Sequence, residues 1–199
     1  MTKSKTRAIA TAAIMGAVAF VLQYFSFSVP VLSVFARFDL ASVPEIIGGF
    51  ILGPIGAIEI IVIKLGLILV FKGTSSMFTG ELSNFILSCS YVLPAIFYYR
   101  KHRTKKGAVI GLLIGSLACV VVAVFSNLFL IFPAYIKLYG LSWDSIIEMT
   151  HAVNPLVTSK MTFVLWSVIP FNLVFRVVTS IITFFLYKKI SVPIKRWIQ

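Results

Sequence analysis

The sequence predicts an all-α integral membrane bundle of six transmembrane helices with both termini cytoplasmic. Three observations lead there. The chain of 199 residues is 59% hydrophobic, with a mean hydropathy of +1.02, against roughly 45–50% apolar residues in soluble domains. Several of its apolar runs reach about 20 residues, the helical length that crosses the hydrocarbon core. The third observation is where the charge lies. "TKSKTR" at the N-terminus, Arg100–Lys106, and Lys188-Lys189 with Lys195-Arg196 together hold 12 of the 18 Lys and Arg residues. A net charge of +12 on a soluble protein would point to nucleic acid. Here the basic residues flank apolar runs and mark topology instead.

Spans are expected at about 8–27, 42–53, 54–71, 82–99, 108–135 and 162–187 within a single membrane domain, 1–199, that leaves no room for a soluble one. The first run, Ala8–Phe27, is too long for a signal-peptide core and no small-residue cleavage pattern follows it, so it reads as a retained helix. Its Ala13-x-x-x-Ala17 and Ala12-x-x-x-Gly16 faces are small enough for another helix backbone to approach, either inside the bundle or on a partner subunit.

The next stretch, Glu45–Phe71, is almost wholly apolar and is interrupted by Gly53-Pro54. Parity decides how to read it. By the positive-inside rule the N-terminus and Arg100–Lys106 lie on the same side, so the chain between them crosses an even number of times. The first run and Leu82–Tyr99 supply two crossings, and the interrupted stretch therefore goes across and back. Proline removes a helix donor and disfavours helix in the residue before it, which places the break. Each half is short, roughly 12 to 18 residues or about 18–27 Å, which suggests a pair that does not meet lipid as two full spans. The outer connections become residues 28–40, 72–80 and 136–160. The last carries Trp143, Asp144, Glu148 and His151 and reads either as a lid or binding loop or as a solvated linker.

Ionisable groups inside spans are costly and usually face a cavity or a partner. Lys64 and Arg176 are the two clear cases. Glu59, five residues from Lys64, lies on a different helical face and is a poor partner. Lys64 either lines a cavity or snorkels along its apolar stem. Arg176 is about 12 residues, or about 18 Å, from Lys188, too deep for easy snorkelling, so a buried functional or paired role is expected. Around these two run polar stripes. Glu81, Asn84, Ser88 and Tyr91 recur at three- and four-residue steps on one face; Asn172 and Arg176 are one turn apart; Ser126-Asn127 precedes Pro133. A single such residue would simply bond a neighbouring helix. Three stripes in adjacent spans point to a ligand pocket opening outward, with Trp166 and Tyr91 either stacking on a ring or packing in the core.

Several function classes are disfavoured. No G-x-x-x-x-G-K-[ST] is present to cradle ATP phosphates, and "FKGTSS" has the wrong order. There is no H-E-x-x-H, and His102 and His151 fall in loops expected on opposite sides. Cys89 and Cys119 lie inside spans and read as small core hydrophobes without a disulfide. No metal-ligand spacing, cofactor motif or carboxylate–histidine relay is visible, and no enzymatic role is expected. What remains is a small bundle with an outward pocket and no energy source of its own.

"FDLASVPEIIGGFILGPIGAI", "GELSNFILSCSYVLPAIFYYRK", "NLFLIFPAY" and "IPFNLVFR" together resemble the membrane S components of energy-coupling factor (ECF) vitamin importers, and among these the riboflavin-specific branch. The resemblance covers roughly residues 10–190, with the segments in family order. It implies a six-helix subunit that captures a water-soluble vitamin from outside. It further implies a transmembrane scaffold subunit and two ATPase subunits as partners, with the scaffold docking on the Ala13/Ala17 surface. Asn84, Asn127 and Asn172 match asparagines of the riboflavin pattern. The chain departs from that pattern at Ser42, where an aspartate is usual, at Leu65-Gly66 after Lys64, and at Phe175-Arg176, near the position of a lysine. An arginine fork suits a carboxylate or phosphate. Pantothenate and pyridoxine- or pyrimidine-type vitamins thus stand beside riboflavin, the leading expectation. The ligand-binding set expected is Asn84, Asn127, Arg176, Lys64, Asn172, Glu81, Tyr91 and Trp166. A stand-alone secondary carrier or channel, which would transport without any ATPase, is the alternative; a membrane-embedded enzyme is more distant.

Overall fold

The computed structural model describes residues 3–30, 35, 37–74 and 76–198. Parts of the expected connections 28–40 and 72–80, and the start of the N-terminal basic cluster, lie outside the described residues. Helix α1 (Lys3–Tyr24) leads into a two-residue hairpin, β1 (Phe27–Ser28) antiparallel to β2 (Arg37–Phe38), with Phe27 opposite Phe38. Helices α2 (Ser42–Leu52), α3 (Pro54–Phe71), α4 (Thr79–Lys101) and α5 (Lys105–Ser126) follow. A π turn at Asn127–Ile131 continues α5 into α6 (Phe132–Tyr139). After α7 (Trp143–His151), α8 (Lys160–Phe163) passes through a second π turn, Val164–Val168, into α9 (Ile169–Ile198).

Among the described residues five helical stretches are long and apolar enough to cross a membrane, while Ser42–Leu52 is a shorter apolar helix. The expectation of six spanning helices thus meets five long ones and one of 11 residues, about 16 Å at helical rise. The short helix is also the most enclosed. Every residue from Ser42 to Phe50 is buried, because α1, α3, α4 and α9 surround it. Its break from α3 falls at Gly53, whose φ of 91° is open to glycine at little cost. Pro54 then occupies the first turn of α3, where its missing N–H leaves no bond unmade.

The chain between residues 136 and 160 is not the solvated linker that was one of its two readings. Ser142 caps α7 by accepting from Ser145 N at 3.1 Å. Ile146 and Val157 then join Phe132 and Phe163 in a buried cluster. The sixth expected span, 162–187, is the middle of a longer helix that runs on to Ile198.

Close approach of α4 and α5 is the most extensive helix contact of the fold. Glycine permits it, since lipid tails are as apolar as side chains and association in a membrane depends on packing. A Cβ on Gly111 would lie 2.7 Å from Ala95 O, and one on Gly115 would collide with Tyr91 O. Both obstacles are backbone and cannot swing aside. Gly115→Val should therefore destabilise the detergent-solubilised protein by about 1–3 kcal/mol or more, as overpacking does. Gly66→Ala, where nothing lies within 4 Å of the added Cβ, should be neutral or stabilise by up to about 1 kcal/mol through helix propensity. Thermal unfolding of both variants in one detergent checks the pair.

Candidate functional site

A cavity of about 560 Å³ opens among α3, α4, the π turn Asn127–Ile131 with α6, and α9, at the end of the bundle that carries the hairpin. Polar side chains and Phe35, Phe132, Phe163, Phe171 and Phe175 share its wall. The three basic clusters belong to the opposite end, where Arg7 lies 5.9 Å from the Trp197 ring.

At the cavity wall Lys64 Nζ sits 2.6 Å from Glu45 Oε1, and the two residues are 1% and 0% exposed. The ammonium also donates to Asn84 Oδ1 at 2.5 Å and Ser88 Oγ at 3.4 Å, and Ser88 Oγ donates to Glu45 Oε1 at 3.4 Å. Three helices thus meet in one buried network. A buried charge of this kind is tolerable only because it is paired and hydrogen-bonded. Glu45 Oε2 alone has no partner.

Arg176 is 2% exposed and is held differently. Its Nη1 donates to Ser42 Oγ at 2.8 Å and its Nε to Cys119 Sγ at 3.1 Å. The guanidinium carbon lies 4.7 Å from the Tyr91 ring centroid and 4.6 Å from that of Phe175, within cation–π range. All of these partners are neutral. Phe175 in turn packs on Phe38, 5.0 Å between centroids, tying the hairpin to α9. Asp39, just before α2, accepts from Ala41 N at 2.9 Å. Burial pushes its carboxyl above the usual range, against the opposing fields of Lys64 and Arg176 and the bond from Ala41.

Two asparagines are aimed by their own helices. Asn127 Nδ2 donates to Ala123 O at 2.7 Å, and Asn172 Nδ2 to Val168 O at 2.9 Å. A carbonyl only accepts, so each amide must turn its NH₂ toward the helix. Each residue stands beside a π turn, a device frequent at functional sites because it leaves backbone carbonyls free of their usual partners. Asn172 is 4% exposed and its Oδ1 has no partner. Glu81 accepts from Ser76 Oγ at 3.0 Å and Thr74 Oγ1 at 3.1 Å, fastening the 72–78 turn at the mouth.

The family model for the ECF transporter substrate-specific component matches residues 7–187. The chain belongs to that family. This S component is 27% identical to the riboflavin transporter FmnP of Bacillus subtilis (strain 168), over 98% of its own length and 95% of that protein's. It is 26% identical to the riboflavin transporter RibU of Staphylococcus aureus (strain TCH60), over 96% and 94% of the two chains. A solved structure of the S component of a bacterial ECF transporter superposes with a TM-score of 0.74 at 26% identity, covering 96% of this chain and 99% of that one. The S component is accordingly a multi-pass bacterial cell-membrane protein from a family of transporters rather than enzymes.

Of the residues singled out in the sequence, Lys64, Glu81, Asn84, Asn127, Asn172 and Arg176 line this cavity. Tyr91 does not. It is fully buried behind Arg176, its hydroxyl 2.8 Å from Ser180 Oγ, and acts on the cavity only through the guanidinium. Trp166, inside the second π turn, is 48% exposed and is not among the residues that line the cavity. Ala12 and Gly16 are buried, Gly16 against Ile63 of α3. They are internal packing positions rather than a docking face, whereas Ala13 and Ala17 are exposed.

Glu45 was missed. Its signal was available: an acid in the apolar run just before the one that carries Lys64, on the same folded-back pair. Glu59, set aside as a poor partner of Lys64 on helical phase, is exposed. Glu45→Ala should cost about 3–5 kcal/mol by leaving the Lys64 ammonium buried without a counter-charge. The double variant Glu45→Leu/Lys64→Met should recover most of that loss. Unfolding midpoints of the two variants in detergent measure the coupling.

Proposed function

We propose that this chain is the vitamin-capturing subunit of an ECF-type ATP-driven importer and that riboflavin is its first candidate substrate. The observation that carries the reading is the cavity lined by Lys64, Asn84, Asn127, Asn172 and Arg176. Its volume falls within the range of about 300–1,000 Å³ typical of small-molecule sites, and its wall joins aromatic rings to buried, oriented polar groups. Binding without chemistry follows: Phe35, Phe132, Phe163, Phe171 and Phe175 supply apolar contact, while Asn84, Asn127, Asn172 and Arg176 read the ligand's polar edges. Riboflavin is favoured because it is the named substrate of the two transporters to which the chain is similar along nearly its whole length.

The topology proposed with it has six crossings, α2 and α3 serving as the short outward and return pair, in one membrane domain. Both termini and Arg100–Lys106 then face the cytoplasm and the cavity faces outward, as the positive-inside rule requires. Energy comes from a scaffold subunit and two ATPases, with the scaffold seated on the exposed Ala13/Ala17 side of α1.

Purification in detergent, mass spectrometry of any co-purifying small molecule and titration with a panel of vitamins test the substrate. Flavin absorbance with saturable riboflavin binding is the expected result, and Asn127→Ala should weaken it by about 1–3 kcal/mol. A colourless protein that binds a different vitamin would replace riboflavin and leave the importer reading in place. Ala17→Phe should abolish uptake by the assembled transporter while vitamin binding to the isolated chain stays within about twofold, because the added bulk lies outside the cavity. Uptake into liposomes by the wild-type chain alone would instead identify a self-sufficient carrier.

A further inference from the structure

Two buried cations line the cavity, and only one of them is neutralised. Lys64 has Glu45 at 2.6 Å. Arg176 has Ser42 Oγ, Cys119 Sγ and two ring faces. Among the described residues no carboxylate lies within 4.0 Å of its guanidinium. The other charged groups lining the cavity do not supply the missing charge. Asp39 accepts from Ala41 N and makes no ion pair with the guanidinium, although it lies near enough to feel its charge. Glu81 is turned to Ser76 and Thr74. Arg37 and Lys72 only add positive charge. A desolvated guanidinium without a counter-ion is unfavourable in an empty site, and the favourable complement is a ligand that brings the charge with it.

One turn away stands a second unmet requirement. Asn172 Nδ2 is used by Val168 O, so its buried and partnerless Oδ1 calls for a donor. The two demands are adjacent on α9, at positions i and i+4 of one helix face.

We propose that the Arg176 corner selects for negative charge, taking the ligand edge on which a negatively charged oxygen adjoins an N–H or O–H donor: the oxygen on Arg176, the donor on Asn172 Oδ1. The proposal rests on the vitamin-binding reading above and sharpens it. Two vitamin sources share this chemistry. One is a carboxylate such as pantothenate. The other is the flavin ring in its reduced, anionic form, whose charge spreads over a ring carbonyl beside a retained imide N–H. An arginine fork matches either delocalised oxyanion in shape and charge.

Ser42 offers the decisive variant. Because its Oγ is 2.8 Å from Arg176 Nη1, Ser42→Asp sets a carboxylate against the guanidinium and cancels the unpaired charge while leaving Arg176 in place. The experiment titrates the detergent-purified full chain with pantothenate, with oxidised riboflavin, and with riboflavin reduced under anaerobic conditions. Wild type, Ser42→Asp and Arg176→Gln are compared, with thermal unfolding as the control for folding. If the ligand is a carboxylate, pantothenate binds saturably to wild type and at least tenfold more weakly to both variants. If it is a flavin, reduced riboflavin binds wild type at least tenfold more tightly than oxidised riboflavin. For a two-electron couple that preference raises the midpoint potential of the bound flavin by about 30 mV, and Ser42→Asp removes the preference. Should Ser42→Asp fail to fold, Arg176→Gln carries the comparison alone.

Oxidised and reduced riboflavin bound equally, with no pantothenate binding, would overturn the charge selection and leave the importer reading standing. So would binding of any vitamin with affinity untouched by both variants. Absence of binding to the whole vitamin panel by folded protein would overturn the importer reading and this inference together.

Discussion

The Glu45–Lys64 ion pair is the interaction on which the arrangement of this protein depends. It joins a helix of 11 residues that cannot span the bilayer at full thickness to the helix that follows it, and through Asn84 and Ser88 to a third. Charges this deeply buried cost several kcal/mol each to desolvate, and replacing such a pair by apolar side chains is often neutral or stabilising. The contribution of the pair is therefore one of specification. A polar group in an apolar bundle has few acceptable partners, so the pair fixes which faces of α2, α3 and α4 meet. Apolar residues alone would allow these helices to slide or rotate.

Fixing those faces also determines the electrostatics of the cavity. With Lys64 neutralised by Glu45, the inner wall keeps one uncompensated cation, and its neighbours are a hydroxyl, a thiol and two rings. Tyr91 and Phe175 hold the guanidinium by their faces, which orients it without discharging it. The hairpin takes part too, since Phe38 packs on Phe175 and Asp39 stands at the start of α2. Mouth and floor of the cavity are thereby mechanically connected through α9.

The asparagines show a second way of preparing a binding surface. In a lipid-embedded helix every backbone carbonyl needs a donor, and the π turns at Asn127–Ile131 and Val164–Val168 disturb that supply next to the cavity. Asn127 and Asn172 donate to nearby carbonyls of their own helices. The same bonds lock the amides in one orientation, so that the recognition groups are preorganised by the needs of the backbone.

The sequence by itself determined the membrane class, the break at Gly53-Pro54, the presence of the long apolar helices, and six of the eight residues named for binding that do line the cavity. These are properties of hydropathy, proline geometry and helical period, all of which act over a few residues and so can be read along a line. Tertiary structure alone decided the rest. It chose Glu45 over Glu59 for Lys64, set Tyr91 behind Arg176, and gave Ala12 and Gly16 to α3 while leaving Ala13 and Ala17 exposed. Among the described residues it also left Arg176 without a carboxylate in ion-pair contact. Each of these outcomes depends on how neighbouring helices are rotated about their axes. A rotation of about 100° per residue moves a side chain from cavity to lipid, and only the packing of the whole bundle fixes that angle.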